Sequence, residues 1–169
     1  LPLAVFVFLA TVNSVNLTDG LDGLAAGTCV PFFLTLGLLT AIQGEFSSLA
    51  MLSFCLCGAL GAYLLFNVSP ASVFMGDTGS LALGGLIAAV AMVLKQEILL
   101  IIIGFVFVAE VCSVIIQVTY YKKTHKRIFK MAPLHHHFEM CGWSEEKVVT
   151  RFRLVGVIFA VLGLVLGVM

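Results

Sequence analysis

Charge is what this sequence has least of. Only 11% of its 169 residues are Asp, Glu, Lys or Arg, whereas 61% are hydrophobic. Mean hydropathy is +1.15, and a soluble domain carries about 25% charged residues, so the composition excludes an ordinary soluble fold and points to an integral membrane protein. A disulfide framework is missing as well. Cys29, Cys55, Cys57 and Cys112 fall in apolar stretches, where they read as small packing residues, and Cys141 stands alone in a basic loop. Cys55-x-Cys57 has the wrong spacing for a structural zinc site, so all five thiols are expected to be free. No internal repeat or low-complexity tract is present. Leu1–Ala10 has neither a basic leader nor a small-x-small cleavage site. The expectation is a piece of a longer polytopic chain.

What is there, in place of charge, is a series of apolar runs. A span needs about 20 apolar residues to cross roughly 30 Å of hydrocarbon. Six segments qualify or nearly do: Leu1–Val15, Leu24–Ile42, Leu49–Phe66, Leu81–Leu94, Ile98–Tyr121 and Phe152–Met169. The expected fold is therefore all-α, a polytopic membrane helix bundle of about six spans forming a single domain over 1–169. Polar turns are expected at 43–48 and 95–97 on one membrane face, and polar loops at 16–23, 67–80 and 122–150 on the other. Of the nine basic residues, Lys122, Lys123, Lys126, Arg127, Lys130, Lys147, Arg151 and Arg153 fall on the second face and only Lys95 on the first. The positive-inside rule makes that second face cytoplasmic. Asp19, Asp22, Asp77 and the run His135-His136-His137 are on the same face. In the 122–150 loop, the basic stretch from Tyr120 to Lys130 is expected to lie as a helix along the interface.

Three polar interruptions on that face carry the chemistry. The first, Asn13-Ser-Val-Asn-Leu-Thr-Asp-Gly-Leu-Asp-Gly-Leu-Ala25, puts Asn13, Asn16, Asp19 and Asp22 where lipid-grade sequence would otherwise run. An aspartate at the bilayer centre costs roughly 2.5–3.5 kcal/mol on insertion scales. Asn13, Asn16 and Asp19 step by three and share one face of a helix. A capped helix end would account for one of these residues, not for all four. The second, Phe74-Met-Gly-Asp-Thr-Gly-Ser80, places Asp77 at the start of a span. There it reads equally as an N-cap or as a carboxylate beside a phosphate and a metal. Phe74 reads either as an interfacial aromatic or as a stacking surface for a base or sugar. The third, Pro133-Leu-His-His-His-Phe-Glu139, suits a diphosphate better than one metal, because adjacent histidines point apart. Its other reading is a solvated basic loop against anionic head groups. Glu110, inside the fifth span with Ser113 and Gln117 on its face, is a functional candidate by default, or a hydrogen-bonded packing group; its partner is not readable.

In this order and topology, the three motifs resemble the polytopic polyprenyl-phosphate N-acetylhexosamine-1-phosphate transferases. The first two motifs mark that superfamily. The triple histidine resembles the members that handle UDP-MurNAc-pentapeptide rather than UDP-GlcNAc. The resemblance implies Mg²⁺-dependent transfer of phospho-MurNAc-pentapeptide to undecaprenyl phosphate, giving lipid I and UMP, at the cytoplasmic face of the bacterial inner membrane. By the same resemblance Asp77 is the magnesium ligand and Asp19 an essential aspartate beside it. Gly20, Leu21, Asp22, Asn67 and Phe74, with Gly76 next to it, match a uridine pocket. Asn13 and Asn16 match the cleft lining, and His135, His136 and His137 match the loop that engages the donor.

The partners implied are the UDP-sugar, the lipid acceptor, the bilayer, nucleoside antibiotics of the tunicamycin or muraymycin type, and a second copy as a homodimer, with no nucleic acid. One departure stands out. The family's Asp-Asp-x-x-Lys motif is absent from these 169 residues, so the chain is expected to be the second half of a ten-span enzyme. Two rival readings are a sister GlcNAc-1-phosphate transferase and an ion-coupled transporter built around Glu110.

Overall fold

The computed structural model describes residues 2–44 and 47–169. Among these residues there are eight helices and no strand: α1 (Pro2–Thr18), α2 (Leu24–Gln43), α3 (Ser47–Asn67), α4 (Gly76–Val93), α5 (Glu97–Ile103), α6 (Phe105–Thr124), α7 (Leu134–Met140) and α8 (Glu145–Val168). Five of them, α2, α3, α4, α6 and α8, are long and apolar enough to cross a membrane, and α1 is a shorter apolar helix. The chain is thus an all-α polytopic membrane bundle. The polar turn expected at 43–48 lies partly outside the described residues, as does Leu1 of the first expected span.

Three boundaries differ from the sequence expectation. The fifth span is not one helix; it breaks at Gly104 into α5 and α6. Gly104 leaves helical geometry (φ −90°, ψ 24°), and a Cβ there would lie 2.8 Å from the Leu100 carbonyl oxygen and 3.4 Å from the Phe32 and Phe107 rings. Any larger residue would push the two half-helices off the core. The fourth helix begins at Gly76 rather than Leu81, taking Asp77 into its first turn, and the sixth begins at Glu145 rather than Phe152. The stretch after α6 is not an interfacial helix. His125 adopts a left-handed φ of 54° that ends α6, and no helix resumes until Leu134. Gln117 holds the intervening strand of chain against α6. Its amide donates to Phe129 O (3.0 Å), and its Oε1 accepts the N–H groups of Ile128 (3.1 Å) and Phe129 (3.0 Å).

Inside the bundle α2 is the central helix, buried along most of its length. Phe32 meets Phe33 and Phe107 edge-on at 6.1 and 6.3 Å between ring centres. Several hydroxyls within the apolar helices are satisfied on their own backbone, where no water is at hand. Thr11 donates to Val7 O (2.7 Å), Thr18 to Ser14 O (2.7 Å) and Thr40 to Leu36 O (2.6 Å). Small residues bring helices close. Gly84 of α4 sits directly on α1, where a Cβ would come within 2.6 Å of Val12 Cα and 3.0 Å of Thr11 O.

That contact is backbone on backbone and cannot be relieved by a rotamer change. Gly84→Ala is therefore expected to destabilise the protein by about 1–3 kcal/mol, read as a lower melting temperature in detergent. An unchanged melting temperature would show that the α1–α4 crossing is looser than this geometry.

Candidate active site at the loop end of the bundle

The α1–α4 crossing also sets the centre of the site. Asn16, two residues before the end of α1, uses both amide protons across the crossing. Its Nδ2 donates to Asp77 Oδ1 at 3.0 Å and to Ser80 Oγ at 2.9 Å. Ser80 is fully buried and donates in turn to Gly76 O at 3.1 Å. Asp77 is thereby held by a neutral donor in the first turn of α4, with no cap bond of its own. Asp19 follows directly: its N–H bonds Asn16 O at 3.1 Å as α1 ends. Burial, and then the negative charge of Asp77, push the Asp19 carboxyl up to about 6. The two carboxylates therefore share one electrostatic centre.

Asp22 and Asn67 tie this centre to its neighbours. Asp22 Oδ2 accepts the Ala71 N–H at 2.9 Å, and its own N–H donates to Glu145 Oε1 at 2.9 Å. Asn67 is buried and donates to Val73 O at 2.8 Å, closing the 68–73 loop. That loop ends at Phe74, which is 73% exposed and lies just before Gly76 in its left-handed conformation (φ 63°). Gly20 is exposed and Leu21 half-buried on the 19–23 turn. Asn13 is exposed and donates along its own helix to Leu9 O at 2.7 Å, so it is one turn back from the Asp77 cluster.

The three histidines, treated as one run in the sequence, separate on α7. His135 is fully buried and turned inward, with no exposed surface for a ligand. His136 is half-buried and pairs with Glu139, Nδ1 to Oε2 at 2.6 Å. His137 accepts the Lys130 N–H on Nδ1 at 3.1 Å. Below them Trp143 stacks on Phe138 at 4.7 Å and lies under Lys147 and Arg151, 4.8 and 4.6 Å from its ring centre.

Sequence reading missed several of these contacts. Glu110 meets the start of α7, Glu145 reaches Asp22, and Arg153 crosses α2. The Arg153 guanidinium donates to Gly23 O through Nε (3.1 Å) and Nη2 (2.6 Å). It lies across Gly23 and Gly27, where any Cβ would overlap it. Each of these pairs residues more than 20 positions apart, so no local spacing announces it. Ser80 alone had a signal, three residues after Asp77 on the same helical face.

Asn16 thus joins the first two interruptions at Asp77, and the His135 ring of the third packs under Gly20 of the first. Residues 1–95, which contain the first two, match the profile described as glycosyl transferase family 4. The chain belongs to glycosyl transferase family 4. Among curated proteins it is 56% identical over 166 residues to the phospho-N-acetylmuramoyl-pentapeptide-transferase of Bacillus mycoides (strain KBAB4). It is 55% identical over 166 residues to the protein of the same name from Bacillus thuringiensis (strain Al Hakam). In both cases the match covers 98% of this chain and 51% of the relative. The chain spans about half the length of the curated relatives it matches. Within the family 4 match lie Asn16, Asp19, Asp22, Asn67, Phe74 and Asp77; the histidine helix lies beyond it, in the part shared with those two relatives.

Among the described residues no group of three or more His, Cys, Asp or Glu side chains is placed to hold a metal ion. Two carboxylates, Asp19 and Asp77, are what the site offers. That set does not suit Zn²⁺, which takes four protein ligands in structural sites and three in catalytic ones. It does suit Mg²⁺, which takes one or two carboxylates and completes its shell with water and substrate phosphates.

Proposed function

We propose that this chain carries the nucleotide-sugar and metal half of a phospho-MurNAc-pentapeptide transferase, moving that group from UDP-MurNAc-pentapeptide to undecaprenyl phosphate and releasing UMP. The observation that carries the reading is the junction of Asn16, Asp19 and Asp77, two carboxylates within electrostatic reach of each other at one end of an apolar bundle. Burial, and to a smaller extent the charge of Asp77, disfavour the ionised form of Asp19. A cation held by Asp19 and Asp77 would offset that penalty.

Asp77 and Asp19 would hold Mg²⁺, which when bound neutralises the diphosphate and the charge developing on departing UMP. Asn16 keeps Asp77 aimed by an uncharged bond that does not cancel its charge. Phe74, exposed beside the Gly76 turn, offers a flat face for the uracil. Gly20, Leu21 and Gly76 let the backbone come close to the nucleotide, while Asp22 and Asn67 fix the two loops that flank it. His136 and His137, partly exposed on α7, face the donor beyond the diphosphate, and His135 acts from beneath. The apolar helices admit the lipid acceptor from the bilayer, with the site at the cytoplasmic face. Nucleoside antibiotics of the tunicamycin or muraymycin type would compete at the Phe74 face.

The test is donor choice. In the full-length enzyme, with undecaprenyl phosphate and Mg²⁺, radiolabelled UDP-MurNAc-pentapeptide is expected to give labelled lipid and UMP, and UDP-GlcNAc to give neither. Turnover of UDP-GlcNAc instead would reassign the chain to the sister transferases. Inactivity on both, with ion-driven uptake into vesicles, would favour a transporter.

A further inference from the structure

Glu110 lies in the second turn of α6, fully buried, and takes no part in the metal or nucleotide contacts above. Its carboxylate nonetheless gathers the start of α7. Oε2 accepts the Leu134 N–H at 2.8 Å and Oε1 accepts the His135 N–H at 3.3 Å. The His135 ring lies against the same carboxylate, Nδ1 to Oε1 at 3.2 Å. That contact is too oblique to be a hydrogen bond, and both ring nitrogens are buried without a hydrogen-bond partner. An unpartnered buried imidazole is unfavourable. What retains it is the Glu110 charge at one edge and close packing at the other.

The far edge of the ring, at Nε2, packs under Gly20, where a Cβ would overlap it. Gly20 is the residue after Asp19. Its φ is not in the left-handed region, so glycine is required there by the ring and not by the backbone. A continuous line of contact thus runs from Glu110 through His135 to the turn that carries Asp19. Resting on the function proposed above, we propose that Glu110 is a positioning residue: through His135 it sets the height of the Asp19–Gly20 turn opposite Asp77. It touches no substrate.

The test uses the full-length enzyme in detergent, with Glu110→Gln, Glu110→Asp, Gly20→Ala and the double variant Gly20→Ala/Glu110→Gln. Glu110→Gln replaces one acceptor oxygen by an amide that repels the α7 N–H groups and removes the charge facing His135. It is expected to lower kcat about ten- to a hundredfold, the scale of a misplaced catalytic group. KM for the UDP-linked donor should stay within about twofold of wild type, the split that separates transition-state from ground-state contacts. The Mg²⁺ concentration giving half-maximal rate should rise, which general loosening of the bundle would not produce selectively. Glu110→Asp keeps the charge and should recover part of the loss. Gly20→Ala displaces the same ring from the other side, so the double variant should be no slower than the slower single one.

A wild-type kcat in Glu110→Gln, or a double-variant loss equal to the product of the single losses, overturns the proposal. Where Glu110→Gln does not fold, Glu110→Asp decides: a lowered kcat with the donor KM within about twofold of wild type supports the proposal, and a wild-type kcat overturns it. Failure of the wild-type full-length enzyme to release UMP from UDP-MurNAc-pentapeptide with undecaprenyl phosphate and Mg²⁺ would overturn the proposed function itself, so the two failures are told apart.

Discussion

Asp77→Asn is expected to abolish Mg²⁺-dependent release of UMP by the full-length enzyme. Losing a carboxylate that holds the metal, as proposed for Asp77, would remove several kcal/mol of transition-state stabilisation, and each 1.36 kcal/mol is tenfold in rate, so the loss should be on the order of 10³-fold or more. The substitution is nearly isosteric. Asn16 can still donate to the remaining amide oxygen at the Oδ1 position, and Ser80 keeps its bond to Asn16 (2.9 Å). The α1–α4 crossing, which depends on Gly84 and Val12, is untouched, so the melting temperature should not fall. Removing the charge should even relieve Asp19, whose carboxyl is raised partly by Asp77. An inactive variant with intact stability would identify Asp77 as a functional carboxylate. Retained activity would remove it from the metal shell.

Asp19→Asn is expected to lower turnover on the order of 10²-fold or more, since a second carboxylate leaves the same centre. It should also change how stability depends on pH. In the folded protein Asp19 is raised from 3.8 to about 6, chiefly by burial and then by Asp77. The folded state therefore holds this proton more tightly than the unfolded chain. The stability this contributes is fully present below about 3.8 and is lost as pH rises through about 6. Without Mg²⁺ the melting temperature should fall across that window, and Asp19→Asn should flatten the fall. Asp77→Asn should move it to lower pH. Saturating Mg²⁺ should offset it, because the cation competes with the proton for the same oxygens. A melting temperature that does not change between pH 4 and 7 in metal-free protein would show that Asp19 is not held in this environment.

The site was partly readable because its residues are costly where they stand. Two aspartates and two asparagines in 13 residues of otherwise apolar sequence can only be a break or a site. The Gly20, Gly23 and Gly76 positions marked where backbone turns. Two of these three glycines owe their identity to something the sequence does not display: Gly20 to the His135 ring and Gly23 to both a positive φ (70°) and the Arg153 guanidinium. The histidines show the limit most plainly. As a run they looked equivalent, yet α7 turns each by about 100° from the last, by the 3.6-residue period of a helix. His135 is thereby sent into the bundle, while its two neighbours stay partly exposed.

By itself the sequence determined that the chain is a membrane helix bundle with its polar chemistry collected at one end. Burying charge in lipid is so unfavourable that composition and spacing alone carry that signal. Only the tertiary structure decided which polar groups meet: Asn16 with Asp77 across 61 residues, Asp22 with Glu145 across 123, Glu110 with His135 across 25. These pairings depend on how helices cross, on the Gly84 contact and on the break at Gly104. Crossing geometry is set by the summed packing of many side chains, not by any residue's own preference, so no local pattern along the chain records it.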